Sequence, residues 1–235
     1  MLAQSAIPAD VSRRSSIATS AMPSVLDSRP REGNSLDQTI RLMGAVISYP
    51  RNSEIFGESE TADYFYKVVT GSVRTYKILS DGRRQIGGFY LPGDIFGLEC
   101  GQQHAFSAEA IVDAKIIVIK RSAITALAAR DVAVARELFS LTSEELRRVQ
   151  DRMSLLVKSA QERVASFLLE MAERASAGNI VELPMSRQDI ADYLGLTIET
   201  VSRTLTCLET AAAIEVPTSR RVVLRNRSAL NRLNS

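Results

Sequence analysis

The stretch with the clearest chemical potential is "LTIETVSRTL", where Glu199, Ser202 and Arg203 recur at helical spacing and Thr206 follows just beyond. At about 100° per residue, these four side chains fall within about one third of a turn of one another. Arg203 can give two hydrogen bonds to guanine O6 and N7, Glu199 can accept from cytosine N4 or adenine N6, and Ser202 suits a base or a phosphate. The opposite side carries Ile198, Val201, Leu205, Leu208 and Ala212, so the expected helix has an apolar inside and a polar reading face. Taken alone, Glu199 and Arg203 would be an ordinary i,i+4 surface pair, worth a few tenths of a kcal/mol. Their setting argues for more.

Just upstream, Ser186 to Asp189 has the S-x-x-D form of a capping box, which predicts a helix beginning at Ser186 with Ile190, Ala191 and Leu194 on its inner side. Gly195 suits a left-handed ending, and Thr197 is placed to cap the second helix. Ala191, Gly195 and Val201 then have the spacing of a helix-turn-helix, whose second helix enters the major groove of double-stranded DNA. Downstream, "IEVPTSRRVVLRN" alternates as a β-hairpin, and from Val216 onward there are five arginines and no acid. A wing with Arg220 and Arg221 near its tip would hold phosphates, together with Ser186, Thr197 and Thr206. Glu199, Ser202 and Arg203 would read the bases.

The elements that must position this face read as an α+β chain in four parts. Residues 1–35 are rich in Ser, Ala and Pro without periodicity, and read as a flexible arm. Residues 36–130 read as a β-roll of jelly-roll type, with runs of aromatic and β-branched residues broken at Gly71, Gly82 and Gly93. Those glycines recur every eleven residues, the rhythm of short antiparallel strands and tight turns. Residues 131–160 form a long helix on which Val132, Ala135, Phe139, Thr142, Leu146, Val149, Met153, Leu156 and Ala160 alternate at spacings of three and four. That is a heptad seam flanked by charges, and a dimer seam through Phe139, Thr142, Leu146, Val149, Met153 and Leu156 is expected. Val134, Leu138 and Leu141 make a second stripe for the chain's own β domain. Residues 161–235 hold the winged helix-turn-helix.

Composition excludes other classes. The 235 residues carry a formal charge of only +2, so a nucleic-acid surface must be local. With two cysteines, Cys100 and Cys207, and His104 as the single histidine, the chain lacks ligands for a zinc or iron-sulfur centre, and no metal is expected. A metal-dependent jelly-roll enzyme would need two or three histidines, and no nucleophile motif is present, so no catalytic residue is assigned. His104, in a polar loop, reads as solvated rather than as a haem ligand. No apolar run of about 18 residues could span a membrane, and the cysteine usage suits a reducing cytoplasm. Cys207 falls between the reading face and the buried side of its helix, so its oxidation would place negative charge near DNA; a half-buried apolar role is the plainer alternative.

Over roughly residues 36–235, the order β-roll, seam helix, winged helix-turn-helix resembles the CRP/FNR family of bacterial transcription regulators. "GSVRTYKILSDGRRQIGGFYLPGDIFG" is similar to the family's cyclic-nucleotide-binding-like sensor core, and "SRQDIADYLGLTIETVSRTL" to its DNA-binding motif. Glu-x-x-Ser-Arg is the pattern of the FNR-like and FixK-like branches. The resemblance implies a homodimer on palindromic TTGA-type half-sites, an activator that recruits RNA polymerase. Cyclic-nucleotide-binding members have an Arg-Ser or Arg-Thr pair for the phosphate, whereas this chain has Phe106-Ser107, and Glu99 would repel the anion. The iron-sulfur members' N-terminal cysteines are missing from residues 1–99. With no cofactor expected, the FixK-like branch remains, whose members act on genes for low-oxygen respiration, denitrification or nitrogen fixation. The open alternative is the same dimer gated by an unidentified small ligand in the β-roll.

Overall fold

A computed structural model describes residues 35–99, 101–174 and 178–234. The arm expected over 1–35 lies outside the described residues except for Ser35, as do Cys100 and the side chain of Leu156.

The first described element is a helix, α1 (Ser35–Met43), where the sequence reading began the β domain directly. Leu36 and Ile40, one turn apart, are buried with Phe65, Ile117 and Ile119 of the roll. An ion pair between Asp37 and Lys67 and a hydrogen bond from the Leu36 amide to Glu137 Oε2 (2.8 Å) fix it further. Nine residues with two apolar anchors are too short for a periodicity signal.

Six antiparallel strands follow: β1 (Ala45–Tyr49), β2 (Glu54–Phe56), β3 (Tyr64–Ile78), β4 (Arg84–Tyr90), β5 (Ile95–Phe96) and β6 (Ser107–Lys120). β3 and β6 pair along most of their length, but their two ends take different outer partners. β6 carries β1 at Ala114–Val118 and β2 at Ala108–Glu109, while β3 carries β5 at Tyr66–Lys67 and β4 at Val73–Ile78. A fifteen-residue strand spans about 50 Å, too long to stay flat over a small core. Register shifts between Val68 and Val73 bend it into a roll. Gly71 lies at this bend inside β3 rather than between strands, so it marks a bulge and not the expected break. Its φ is +83°, and a Cβ there would meet the Asp113 carbonyl at 2.4 Å. Gly82 and Gly93 do occupy turns with positive φ. Inside the roll Phe56, Tyr66, Phe96 and Tyr90 form a chain of ring contacts with centroids 5.0–5.1 Å apart.

His104 belongs to this interior, contrary to its reading as a solvated loop residue. It is 2% exposed, stacks on Phe56 with centroids 3.6 Å apart, and places Nδ1 3.3 Å from Glu99 Oε1. The apolar body of the imidazole fits an aromatic stack while one nitrogen finds a carboxylate.

After α2 (Arg121–Ala128), Asp131 accepts from the Ala133 amide at 2.8 Å and caps α3 (Val132–Ser154). Val134, with Leu138 and Leu141 beside it, faces the roll core. On the other side Val132, Phe139, Leu146 and Met153, each seven residues from the next, are 58–75% exposed. α3 does not run to Ala160 as the heptads suggested. A 3₁₀ turn, Leu155–Val157, and an extended Lys158 end it, and Ala160 begins α4 (Ala160–Arg174). The cause is local: Ser159 and Glu162 form a capping box, with the Ser159 amide donating to Glu162 Oε2 at 2.6 Å and the Glu162 amide to Ser159 Oγ at 3.4 Å.

The last part comprises β7 (Ile180–Glu182), α5 (Arg187–Leu194), α6 (Ile198–Thr210), β8 (Ile214–Thr218), β9 (Arg221–Leu224) and α7 (Arg227–Asn234), with the small sheet in the order β7-β9-β8. Its core of Phe167, Leu168, Met171, Ile190, Val201, Leu208 and Leu230 is continuous with Ile86, Phe89 and Ile111 of the roll.

Candidate nucleic-acid interface

α5 and α6 meet through a turn whose geometry follows from its residue types. Ser186 caps α5 in a capping box with Asp189, and Gly195 ends the helix at φ +64°. No atom crowds a Cβ at Gly195 closer than Arg163 Nη1 at 3.7 Å, so the left-handed backbone, not space, calls for glycine. Arg163 of α4 donates to the freed Leu194 carbonyl at 2.9 Å. Thr197 then caps α6, accepting from the Thr200 amide at 3.2 Å.

On α6, Val201, Thr204, Leu205 and Leu208 are buried. Ile198 and Ala212, expected inside, are not. Ile198 lies at the solvent edge of the first turn, 37% exposed, and Ala212 is past the helix end, exposed, with φ +54°. There the Ala213 amide bonds to the Leu208 carbonyl and the Ala212 amide to the Glu209 carbonyl, a Schellman ending built on alanine.

Glu199, Ser202, Arg203 and Thr206 are all exposed, and the structure brings them together on one face of α6. Glu199 and Arg203 do not close the ion pair of an ordinary surface helix, and among the described residues Arg203 has no salt-bridge partner. Glu199 is held ionised: its own backbone amide, the Thr197 hydroxyl and the nearby Arg203 charge lower its pKa. The hydroxyls of Ser202 and Thr206 donate back to the Ile198 and Ser202 carbonyls, at 2.8 and 3.2 Å, leaving their lone pairs free to accept. Cys207 is free and exposed at the edge of this face.

The wing places Arg220 at the β8–β9 turn, exposed and without an ion pair among the described residues. Arg221 is 3.4 Å from Glu182 on β7, and Glu209 of α6 anchors the wing by accepting from the Val216 amide at 2.9 Å. Ser186 stands apart from the group. Its amide and hydroxyl both donate to Asp189 Oδ2, at 2.9 and 2.8 Å, so it offers phosphate no free donor.

Sequence reasoning missed what surrounds Asp189. The residue is 2% exposed, and its carboxylate receives Arg74 of β3 at 3.1 Å and Arg84 of β4 at 2.6 Å. The spacing of those partners, over a hundred residues away, leaves no local signal.

A cavity of about 580 Å³ lies between the roll and α3, lined by Thr75, Tyr90, Glu99, Phe106, Glu145 and Arg152 among others. Phe106 packs over Gly87, where a Cβ would stand 2.9 Å from its ring, so an aromatic wall occupies the position at which an anion-binding arginine was found missing. Its charged lining residues are Glu99, Glu145 and Arg152, and the Arg152 guanidinium lies over the Tyr193 ring at 5.5 Å.

Residues 162–233 match the Crp-like helix-turn-helix domain, and residues 46–131 the cyclic nucleotide-binding domain. The chain is 52% identical to the nitrogen fixation regulation protein FixK of Azorhizobium caulinodans, over 84% of this chain and 82% of that one. It is 41% identical to the FixK protein of Rhizobium meliloti, over 80% and 86%. The solved structure of FixK2 from Bradyrhizobium japonicum superposes with a TM-score of 0.79 at 52% identity, covering 82% of this chain and 98% of that one.

Proposed function

This chain belongs to the FixK-like branch of the CRP/FNR family of DNA-binding transcription regulators, and from that premise we propose that it acts as an effector-independent homodimeric activator. The observation that carries the reading is the exposed Arg203, without a salt-bridge partner among the described residues, beside an ionised Glu199 on α6. Arg203 reads guanine, Glu199 accepts from an amino group on the paired strand, and Ser202 accepts through its free lone pair. Each half of a palindromic TTGA-type site takes one α6. Thr197, Thr206, Arg220 and Arg221 hold the backbone and set register without reading sequence. The unpartnered heptad row of α3, Val132, Phe139, Leu146 and Met153, supplies the seam to a second copy. Thr142 and Val149 flank that row.

The relatives' names, nitrogen fixation regulation among them, point to nitrogen-fixation genes as targets; low-oxygen genes, RNA polymerase as the activation partner and the cytoplasm as the site of action follow from the family resemblance alone. No described helix is long and apolar enough to cross a membrane. Oxidation of Cys207 to an acidic form would add negative charge beside the DNA backbone. Peroxide then weakens binding, and a Cys207→Ala protein resists it.

The test is the affinity of the purified, ligand-free protein for a palindromic TTGA-type duplex against a scrambled one at two salt concentrations. Tight selective binding that Arg203→Ala loses supports the reading. Weak, salt-labile binding to both duplexes overturns it and favours gating by a ligand in the roll cavity, which a thermal-shift screen would then identify.

A further inference from the structure

Asp189 has two occupations. Within α5 it completes the capping box, taking the Ser186 amide and hydroxyl on Oδ2. From the roll it takes Arg74 Nη1 on both oxygens, at 3.1 and 3.2 Å, and Arg84 Nη2 on Oδ1 at 2.6 Å. Five hydrogen bonds saturate a carboxylate, which is what a charge this deeply buried requires. The arginines are themselves held: Arg74 Nη2 reaches Glu109 Oε1 at 2.9 Å, and Arg84 Nε reaches Asp192 Oδ2 at 2.8 Å, one turn along α5. Beside these charges the contact is aromatic. Phe89 of β4 packs on Phe167 and Tyr193 with centroids 6.2 and 5.1 Å away, and Arg174 of α4 bonds both the Phe89 carbonyl and Asp94 at 2.6 Å.

We propose that the Arg74–Asp189–Arg84 clamp fixes α5 as a rigid extension of the β3–β4 hairpin and so sets the position of α6 for DNA. Asp189, Arg74 and Arg84 are positioning residues: none belongs to the reading face, but α6 follows α5 through a three-residue turn, so its place on the roll is theirs. In a dimer whose protomers join along α3, this contact fixes the distance between the two recognition helices. The orientation that a gated regulator would need an effector to impose is here built in by ion pairs. The inference rests on the effector-independent reading above and explains how that reading works.

The experiment compares wild type with Arg84→Gln, Arg84→Lys and, as a control, Arg83→Ala, whose guanidinium is exposed and, among the described residues, pairs with Asp81 alone. Two quantities are read in the full-length protein: the affinity ratio between an operator of best spacing and one lengthened by a base pair, and amide exchange across residues 187–210. Arg84→Gln is expected to lower the spacing ratio about tenfold and to speed exchange in α5. Arg84→Lys should recover part of both, Arg83→Ala should change neither, and affinity for an isolated half-site should hold. Unchanged spacing selectivity in Arg84→Gln with wild-type exchange overturns the clamp, and so does tighter operator binding, which would make the contact an autoinhibitory latch. If wild type itself shows no operator preference, the effector-independent reading is what fails. The clamp is then decided by exchange alone, and equal α5 exchange in wild type and Arg84→Gln refutes it.

Discussion

Phe139 and Leu146 stand seven residues apart on α3, 75% and 58% exposed, on the side away from the Val134 stripe that packs on the roll. Both also line the cavity between roll and helix, so a second copy laid along this row would cover the cavity's mouth. Burying one such side chain contributes roughly 1.5–3 kcal/mol, and in a symmetric dimer each change counts twice. Leu146→Glu is therefore expected to give a monomer in sedimentation velocity and to abolish tight binding to the palindrome, with the thermal midpoint of the single chain nearly unchanged. A dimer that survives Leu146→Glu would place the seam elsewhere.

Arg203 and Arg220 should separate reading from holding. Arg203→Ala is expected to cost about 1–3 kcal/mol of discrimination at the guanine of each half-site, with competitor duplexes gaining relative to the operator. Arg220→Ala should weaken all duplexes alike and reduce the slope of log affinity against log salt by about 1 per protomer. Fluorescence anisotropy across a salt series measures both.

Cyclic AMP should leave the protein unchanged. Phe106 walls the cavity where an arginine would hold the phosphate, and Glu99 and Glu145 oppose an anion. A ligand present at a hundred times its Kd would stabilise the fold by about 2.7 kcal/mol, a shift of several degrees in melting temperature. No shift at millimolar cyclic AMP is expected, and no change in operator affinity.

Much of the helix-turn-helix was legible because its signals are local. Ser186, Gly195 and Thr197 each act on atoms within five residues, and residue type at a fixed offset carries that information. The glycine rhythm was legible for the same reason at Gly82 and Gly93, and misled at Gly71, where positive φ serves a bulge instead of a turn. The end of α3 was overlooked although its signal was present. The apolar heptads run on through Leu156 and Ala160, but Ser159 and Glu162 restart the helix, and a cap outweighs the continuing pattern because it satisfies amides that a broken helix would leave open. What no pattern could disclose was the second role of Asp189. A capping aspartate looks complete within four residues, and its arginines lie 105 and 115 positions away.

Ala212 offers a test of the local backbone independent of DNA. It holds φ +54° as the left-handed residue of the α6 ending, with the Ala213 amide closing onto Leu208. An L-residue with a Cβ is destabilised there by about 1–2 kcal/mol through the clash with its own carbonyl, which glycine avoids. Glycine is more flexible in the unfolded chain, which offsets part of that gain. Ala212→Gly is thus expected to stabilise the protein by up to about 1 kcal/mol, seen as a higher denaturant midpoint with an unchanged m-value. Operator affinity should hold, because Ala212 lies beyond the last turn of α6 while the reading face ends at Thr206. A lower midpoint would mean that α6 does not end in the left-handed geometry. In that case the helix would continue through Ala212, and the wing would start from a different place.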